Sequence, residues 1–395
     1  MKILIITEVF YPEEFIINEL AEQWVKKGFE VEVLTRNPSY PFGKIFKGYK
    51  NKIYQKERID NITIHRVHTL EGYEKNVKIK VLNYFWNALL ASIVALFIGR
   101  KFDKVFIYQT GPLTFSYAGK LIKLFYKVDL TIWTQDIWPD SIYAYGLSLP
   151  KLLRSWINIF VKGIYKKCDN IIVSCEGFKE KINAFVPNKE VQYIPNWSII
   201  DFYHESDKKD SNAFIFTFAG NVGKVQNLEH VVRAFAGFIK TTNANSELHI
   251  VGDGSNLNDI KEISNDLNCD KIKYFGRKAV SEMPQIYSNS DVLIISLIDK
   301  PIFKLTVPSK FQAYLSTRKP ILCVVDGEVS DIVNRYDLGY SSKPNQIEEI
   351  SEAMHQFYSL SKSELIEMGK NCYKVHTSVF DKQRLIEKLT AVIDA

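Results

Sequence analysis

Residues 217–235 read TFAGNVGKVQNLEHVVRAF. An apolar run ends at Ala219, the loop Gly220-Asn221-Val222-Gly223-Lys224 turns, and a helix-compatible stretch begins near Gln226. Glycine tolerates positive φ and lets a ligand approach the main chain closely. Free amides and the dipole at a helix start favour an anion, and Lys224 adds a point charge. The chemistry that unites these features is phosphate binding. The loop is not a Walker A sequence, in which four residues separate the glycines and Ser or Thr follows the lysine; here Val225 follows Lys224. A plain strand-to-helix turn would also carry glycines.

A second cationic cluster lies in KLTVPSKFQAYLSTRKPI, residues 304–321. Pro308 suits the first position of a helix, which sets Ser309 and Lys310 in its first turn. A cation there opposes the helix dipole, so Lys310 points to an anion that offsets it, although an ordinary exposed lysine would look the same. Two lysines at two helix starts point to a diphosphate.

These loops need elements to hold them. Short Val-, Ile- and Phe-rich runs alternate with helix-length amphipathic stretches along the chain of 395 residues. Strands are expected at 2–7, 30–35, 62–67, 104–108, 129–134 and 170–174, then at 213–219, 247–251, 271–275, 291–297 and 320–325. Helices are expected at 15–28, 80–99, 113–126, 150–168 and 176–185, then at 226–240, 255–267, 282–289, 308–317, 328–335 and 381–394. Continuous apolar strands separated by helices imply parallel sheets covered on both faces. The fold class is therefore α/β, with two doubly wound Rossmann-like domains facing a cleft and ligands at the carboxyl ends of the strands. The first domain is read as 1–195, a polar linker as 196–212, the second domain as 213–380, and a final helix as 381–395, which could pack back on the first domain.

Composition narrows the function. Hydrophobic residues make up 46% and charged residues 24%, as in a folded soluble protein. Five scattered cysteines, with no Cys-x-x-Cys pair and no metal-ligand spacing, suit a reducing cytoplasm. MKILIIT reads as a buried first strand, since no cleavage site follows it as in a signal peptide. No Gly-x-Ser-x-Gly is present and the seven histidines are dispersed, which leaves serine or cysteine hydrolysis and zinc without support. Residues 1–200 carry 28 Lys and Arg against 19 Asp and Glu, while residues 201–395 carry 23 against 26. A basic first half points to an anionic membrane, nucleic acid or a phosphorylated substrate, or to lysines that only aid solubility. No nucleic-acid reader motif appears.

The segment VLNYFWNALLASIVALFIG, residues 81–99, has no charge between Lys80 and Arg100. It is long enough to span a bilayer, but a helix buried against a parallel sheet or lying in the membrane interface fits its asparagines and flanking strands better. Lys75, Lys78, Lys80, Arg100, Lys101 and Lys104 flank it and would suit an anionic leaflet.

Taken together, FAGNVGKVQNL, HIVGDGSNLNDI, KIKYFGRKAVSEMPQIYSNSDVLIISL and VPSKFQAYLSTRKPI resemble the donor-domain motifs of family 4 glycosyltransferases of the GT-B fold. YPEEFIINELAEQWVKKGFEVEVLTRNPSYP, WTQDIWPDS and IPNW resemble the bacterial subgroup that builds O-antigen, capsule and colanic acid, which includes N-acetyl-L-fucosamine transferases. The resemblance covers nearly the whole chain in the same order.

The resemblance implies a UDP-sugar in the second domain. In the first it implies an acceptor such as a sugar on undecaprenyl diphosphate, with the enzyme cytoplasmic and peripheral at the inner face of the membrane. Carried over position by position, Gly220, Asn221, Gly223 and Lys224 line the donor diphosphate, and Gly252 lies on the donor side. Gly276 and Arg277 meet the base through their backbones. Pro308, Ser309 and Lys310 face the diphosphate and sugar. Glu14, Asn18, Tyr40 and Asp136 fall on the acceptor side. Gly276 could instead only end a strand, and Asp136 only cap a helix. One departure stands out: the family carries two glutamates eight positions apart around 308–317, where this chain has Leu305 and Ala313, with Gln312 the nearest polar substitute.

No Asp-x-Asp occurs, so the usual metal clamp of sugar-diphosphate chemistry is missing. The expectation is metal-independent transfer with retention of configuration and no cofactor. Lys224 and Lys310 would stabilise the leaving diphosphate, and Asp136 would orient acceptor or sugar. Two other classes remain open at this level: a sugar-nucleotide epimerase of the same fold, and a non-catalytic module that binds lipid diphosphates.

Overall fold

A computed structural model describes residues 1–74, 76–144, 149–200, 202 and 213–395. The chain divides into two compact units, Met1–Pro195 with Gln383–Ala395, and Asn196–Lys382. Most of the stretch read as the linker, residue 201 and residues 203–212, lies outside the described residues, as does Lys75.

The first unit holds β1 (Lys2–Thr7), β2 (Glu30–Arg36), β3 (Tyr54–Ile59), β4 (Ile62–Val67), β5 (Lys104–Gln109), β6 (Asp129–Thr134), β7 (Asn170–Val173) and β8 (Val191–Tyr193). They form one sheet in the order β3-β4-β2-β1-β5-β6-β7-β8. Every pairing is parallel except β3 with β4. β1 sits centrally, with Ile3 opposite Val31 and Ile5 opposite Phe106. Its apolar residues Ile3 to Ile6 are fully buried, as strands covered on both faces require.

β3 was not expected, and its sequence YQKERI explains why. It is a charged edge strand, alternating between exposed and half-buried residues, the kind of edge that resists further pairing. The three-residue β8 is too short for an apolar run to register. The final helix, Lys382–Asp394, belongs largely to this unit: the indole N–H of buried Trp24 donates to Thr390 Oγ1 at 3.1 Å.

The second unit holds β9 (Phe214–Ala219), β10 (Ser246–Val251), β11 (Ile272–Gly276), β12 (Val292–Ser296), β13 (Ile321–Val324) and β14 (Gly339–Ser341), all parallel, in the order β11-β10-β9-β12-β13-β14. The strand order reverses beside β9, between β10 and β12, which is where ligands bind in open sheets of this kind. Its core joins Phe216, Phe218, Leu248 and Ile294 to Val231, Phe235 and Phe238 of helix Leu228–Thr242. Helices Ile347–Ser359 and Lys362–Ser378, not foreseen, complete the layer. The expected α/β class with two Rossmann-like parallel sheets is the observed one.

Candidate active site

In the second unit the loops after β9, β10 and β11 are laced together by their backbones. Gly220 N donates to Val251 O at 2.9 Å, Val222 N to Asp253 O at 2.9 Å, and Gly252 N to Gly276 O at 2.8 Å. The lacing needs glycine at 252: φ there is +142°, and a methyl group would lie 1.8 Å from the Gly220 carbonyl oxygen. Gly254, absent from the sequence reading, packs against the Val222 carbonyl, where a methyl group would lie 2.4 Å from the oxygen. Gly220, Asn221, Gly223, Gly252 and Gly276 thus stand at one end of one sheet. Arg277 follows them, exposed, on the edge beyond β11.

The helix after this loop begins later than expected. A single 3-10 turn spans Lys224–Gln226, Asn227 takes a left-handed conformation (φ 52°), and the α-helix runs from Leu228 to Thr242. The Gly223 amide already donates to Gln226 Oε1 at 3.0 Å. Lys224 is exposed on this turn, free to swing toward an anion.

Lys310 is the sharper observation. It belongs to helix Ser309–Ser316, which Pro308 precedes as the N-cap rather than opening at N1. Tyr314, one turn on, fixes this helix to the end of β9. Its hydroxyl accepts from Ala219 N at 3.0 Å and donates to Ala219 O at 3.1 Å. The Lys310 ammonium therefore lies over the Phe218 ring, 3.9 Å from its centre, and faces Gly220. Its Nζ is shut off from solvent and makes no hydrogen bond among the described residues. Burial pulls its pKa down from 10.5 to about 7. A buried, unpaired ammonium is costly, and a phosphate oxygen above Gly220 would supply the missing partner. Ser309 is exposed beside it. Gln312 is instead buried, its amide, correctly oriented, donating to the Pro308 and Ser309 carbonyls at 3.1 Å each. That role secures the helix start. Leu305 and Ala313, at the two glutamate positions, are half-buried.

The first unit has its own polar cavity of about 350 Å³, lined among others by Glu8, Arg36, Tyr40, Tyr73, Lys80 and Tyr84. Glu8 follows β1 directly. Burial raises its carboxyl from 4.5 to about 7, against the lowering pull of Arg36 and Lys80, and no hydrogen bond holds its carboxylate among the described residues. Asn87, also on the wall, leaves its buried Oδ1 without a partner. Tyr40 lines this cavity, but Glu14 and Asn18 do not. Glu14 is exposed, and the Asn18 amide turns back to donate to Glu13 O at 2.7 Å. Glu13, its neighbour, shapes the wall by accepting from the Ser39 and Tyr40 amides at 2.9 and 2.7 Å.

Asp136 lies just past β6, outside that lining. Burial lifts its carboxyl from 3.8 to about 6, while hydrogen bonds from Ser141 and the Ile137 amide hold it down in part. It acts electrostatically on Tyr84, a cavity residue. Glu8 and Arg36 escaped the sequence reading because each is a single charge at a strand end, with no motif around it. Among the described residues no group of three or more His, Cys, Asp or Glu side chains is placed to hold a metal ion.

Comparison with known proteins fits this geometry. Residues 199–375 match the family described as Glycosyl transferases group 1. The chain is a glycosyltransferase, and its match to that family lies within the second unit. It is 23% identical over 300 residues to the probable glycosyltransferase WbjE of Pseudomonas aeruginosa, covering 72% of this chain and 73% of that one. It is 22% identical over 315 residues to the putative colanic acid biosynthesis glycosyl transferase WcaI of Escherichia coli K12, covering 75% and 76%. Among solved structures, the E. coli trehalose-6-phosphate structure bound with UDP-2-fluoro glucose superposes with a TM-score of 0.74 at 11% identity, over 100% of this chain and 99% of that one. The fold of this glycosyltransferase is GT-B.

Proposed function

We propose that this glycosyltransferase moves a sugar from a UDP-sugar to a lipid-linked saccharide in the assembly of a bacterial surface polysaccharide, with retention and without a metal ion. N-acetyl-L-fucosamine is the sugar to which the sequence resemblance points. The second unit takes the donor. Lys310 and Lys224 receive the charge that develops on the leaving diphosphate, which is electrostatic stabilisation supplied by preset groups, and the open backbone at Gly276 gives the nucleotide room. The first unit takes the acceptor in the cavity beside Glu8 and Tyr40, with Asp136 nearby to orient a hydroxyl. The enzyme works in the cytoplasm at the inner face of the membrane, where an undecaprenyl-diphosphate acceptor is presented.

The observation that carries this reading is the sealed Lys310 ammonium, which faces Gly220, rests on the Phe218 ring and has no hydrogen-bond partner among the described residues. Two relatives support it: the trehalose-6-phosphate structure is described with a UDP-sugar bound, and WcaI is described as a colanic acid biosynthesis enzyme. The test is a thermal-shift panel of UDP-, GDP- and dTDP-sugars in EDTA, since a donor that binds the folded state raises its stability by mass action. The expected result is a shift with UDP-sugars alone, lost in Lys310→Ala. A shift that requires magnesium or manganese, or one unchanged in Lys310→Ala, overturns the proposal. Release of UDP only when a lipid-linked saccharide is added separates transfer from epimerisation.

A further inference from the structure

Helix Val77–Ile98 is built inside out. Its polar residues Asn83, Asn87 and Ser92 are buried, with Asn83 Oδ1 accepting from Leu70 N at 2.8 Å. Its large apolar residues Phe85, Leu89, Ile93 and Phe97 face outward, Phe97 being 84% exposed. A helix at a water surface shows the opposite arrangement. The helix is long and apolar enough to cross a membrane. Yet Leu90, Ala91 and Ala95 are buried in the unit, and Tyr126 of helix Tyr117–Tyr126 donates its hydroxyl to the Leu96 carbonyl. It is held along the body of the first unit, its apolar side outward.

The neighbouring helices extend this face. Leu152, Trp156 and Ile159 of helix Lys151–Tyr165 are 79%, 70% and 63% exposed, and Phe125 of Tyr117–Tyr126 is 66% exposed. Phe85 and Leu89 from the first helix, Tyr117 and Leu121 from the second, and Phe160 from the third surround a shared apolar groove of about 430 Å³, where the Tyr117 and Phe160 rings stack at 5.9 Å. An apolar surface of this kind on a soluble domain marks an interaction site.

Charge identifies the occupant. Residues 76–128 hold eight Lys and Arg against one acidic residue, Asp103. Lys101, Lys104 and Lys123 pair with Glu32, Asp129 and Asp169, which leaves Lys78, Lys80, Arg100, Lys120 and Lys127, and residues 149–168 add Lys151, Arg154, Lys162, Lys166 and Lys167 with no acidic residue. A copy of the same face would meet this charge with its own, so it repels a second subunit. An anionic bilayer offers hydrocarbon to the rings and headgroup charge to the lysines at once.

We propose that these three helices form a docking face that lies in the surface of an anionic bilayer, the apolar residues sunk to acyl-chain depth and the lysines at the headgroups. This deepens the membrane reading above by assigning its surface. It also places the polar cavity close to the lipid: helix Val77–Ile98 supplies Lys80, Asn83, Tyr84 and Asn87 to the cavity and Phe85, Leu89 and Ile93 to the groove.

The test uses the full chain and reads binding rather than turnover, so its failure is distinct from failure of the glycosyl-transfer reading. Flotation with vesicles of phosphatidylcholine and phosphatidylglycerol is compared with pure phosphatidylcholine. The wild type should partition at least about tenfold more strongly to the anionic vesicles. The combined variant Phe97→Ser, Leu152→Ser, Trp156→Ser should lose about tenfold or more on them, while its thermal shift with UDP-sugar stays that of the wild type. Should that variant misfold, brominated acyl chains provide a second readout. Tryptophan emission of the wild type should be quenched on binding, and Trp156→Phe should remove most of the quenching. Equal partitioning of wild type and folded variant, absence of vesicle binding, or a dimer in solution that the variant dissolves without any vesicle binding would each overturn the proposal.

Discussion

The Lys310 ammonium stands 3.1 Å from the point where a side chain on Gly220 would begin. The helix start and the strand end that carry these two residues are joined through Tyr314 and Ala219, so the gap between them is set by the fold. Lys310→Ala should lower turnover by about 10²–10³-fold, the usual cost of removing one preset donor to a developing oxyanion. Lys310→Met should do the same with the helix packing kept. Steady-state rates with a UDP-sugar and acceptor check this, and unchanged turnover in both variants rejects the diphosphate role.

Because burial holds Lys310 at about pKa 7, a bound diphosphate should raise it and draw a proton from solution. Donor affinity should then fall as pH rises above 7, with proton uptake visible as a dependence of calorimetric heat on buffer ionisation. The linkage has a second sign. Without nucleotide the folded value lies below 10.5, so the unfolded chain holds more protons between pH 7 and 10.5. Lys310 therefore makes stability rise across that window, and the rise should be smaller in Lys310→Met. Titration calorimetry in two buffers and melting curves from pH 6 to about 10 read both effects.

Tyr314→Phe keeps the ring and removes the two hydrogen bonds to Ala219. It leaves a buried backbone N–H and C=O unpaired, at a cost of about 1–3 kcal/mol. Since Tyr314 touches no substrate in this scheme, the change should raise KM for donor more than it lowers kcat. A fall in kcat alone would place the hydroxyl in the chemistry instead.

Gly252→Ala should be severe. Its methyl group meets the Gly220 carbonyl at a positive φ, so the β9 and β10 loops must part. A loss of stability of several kcal/mol is expected, with donor binding lost in any fraction that folds. Differential scanning calorimetry with and without UDP checks it.

The central parallel strands β1, β5, β9, β12 and β13 were legible because both faces of each sheet are covered there and their sequences are mostly apolar. The charged edge β3 was not, since nothing apolar marks a strand with one face in water. The glycine loop after β9 could be placed at the end of its strand because glycine spacing is a local signal. Its lacing to Gly254, and the Tyr314 link, join residues 32 and 95 positions apart and leave no trace in spacing. In the first unit the sequence pointed to Glu14 and Asn18, whereas the cavity is lined by Glu8 and shaped by Glu13. Four acidic or amide side chains within eleven residues look alike until the turn after β1 decides which of them faces inward.

The two carboxyl groups of the first unit that burial raises separate by pH. Burial raises Glu8 to about 7, above its ordinary 4.5. The folded state thus holds more protons between those values, and Glu8 stabilises least above pH 7. Glu8→Gln should therefore melt progressively higher than wild type as pH climbs from 5 to 8, by on the order of 1–3 kcal/mol at the upper end. Asp136, at about 6, should set the acid limb of kcat/KM, because in the proposed reaction its charged form orients the acceptor hydroxyl. Asp136→Asn should flatten that limb and lower the plateau, while Glu8→Gln leaves its midpoint in place. If the limb survives Asp136→Asn and moves in Glu8→Gln, the orienting carboxylate is Glu8, and the acceptor sits deeper in the cavity than Asp136 reaches.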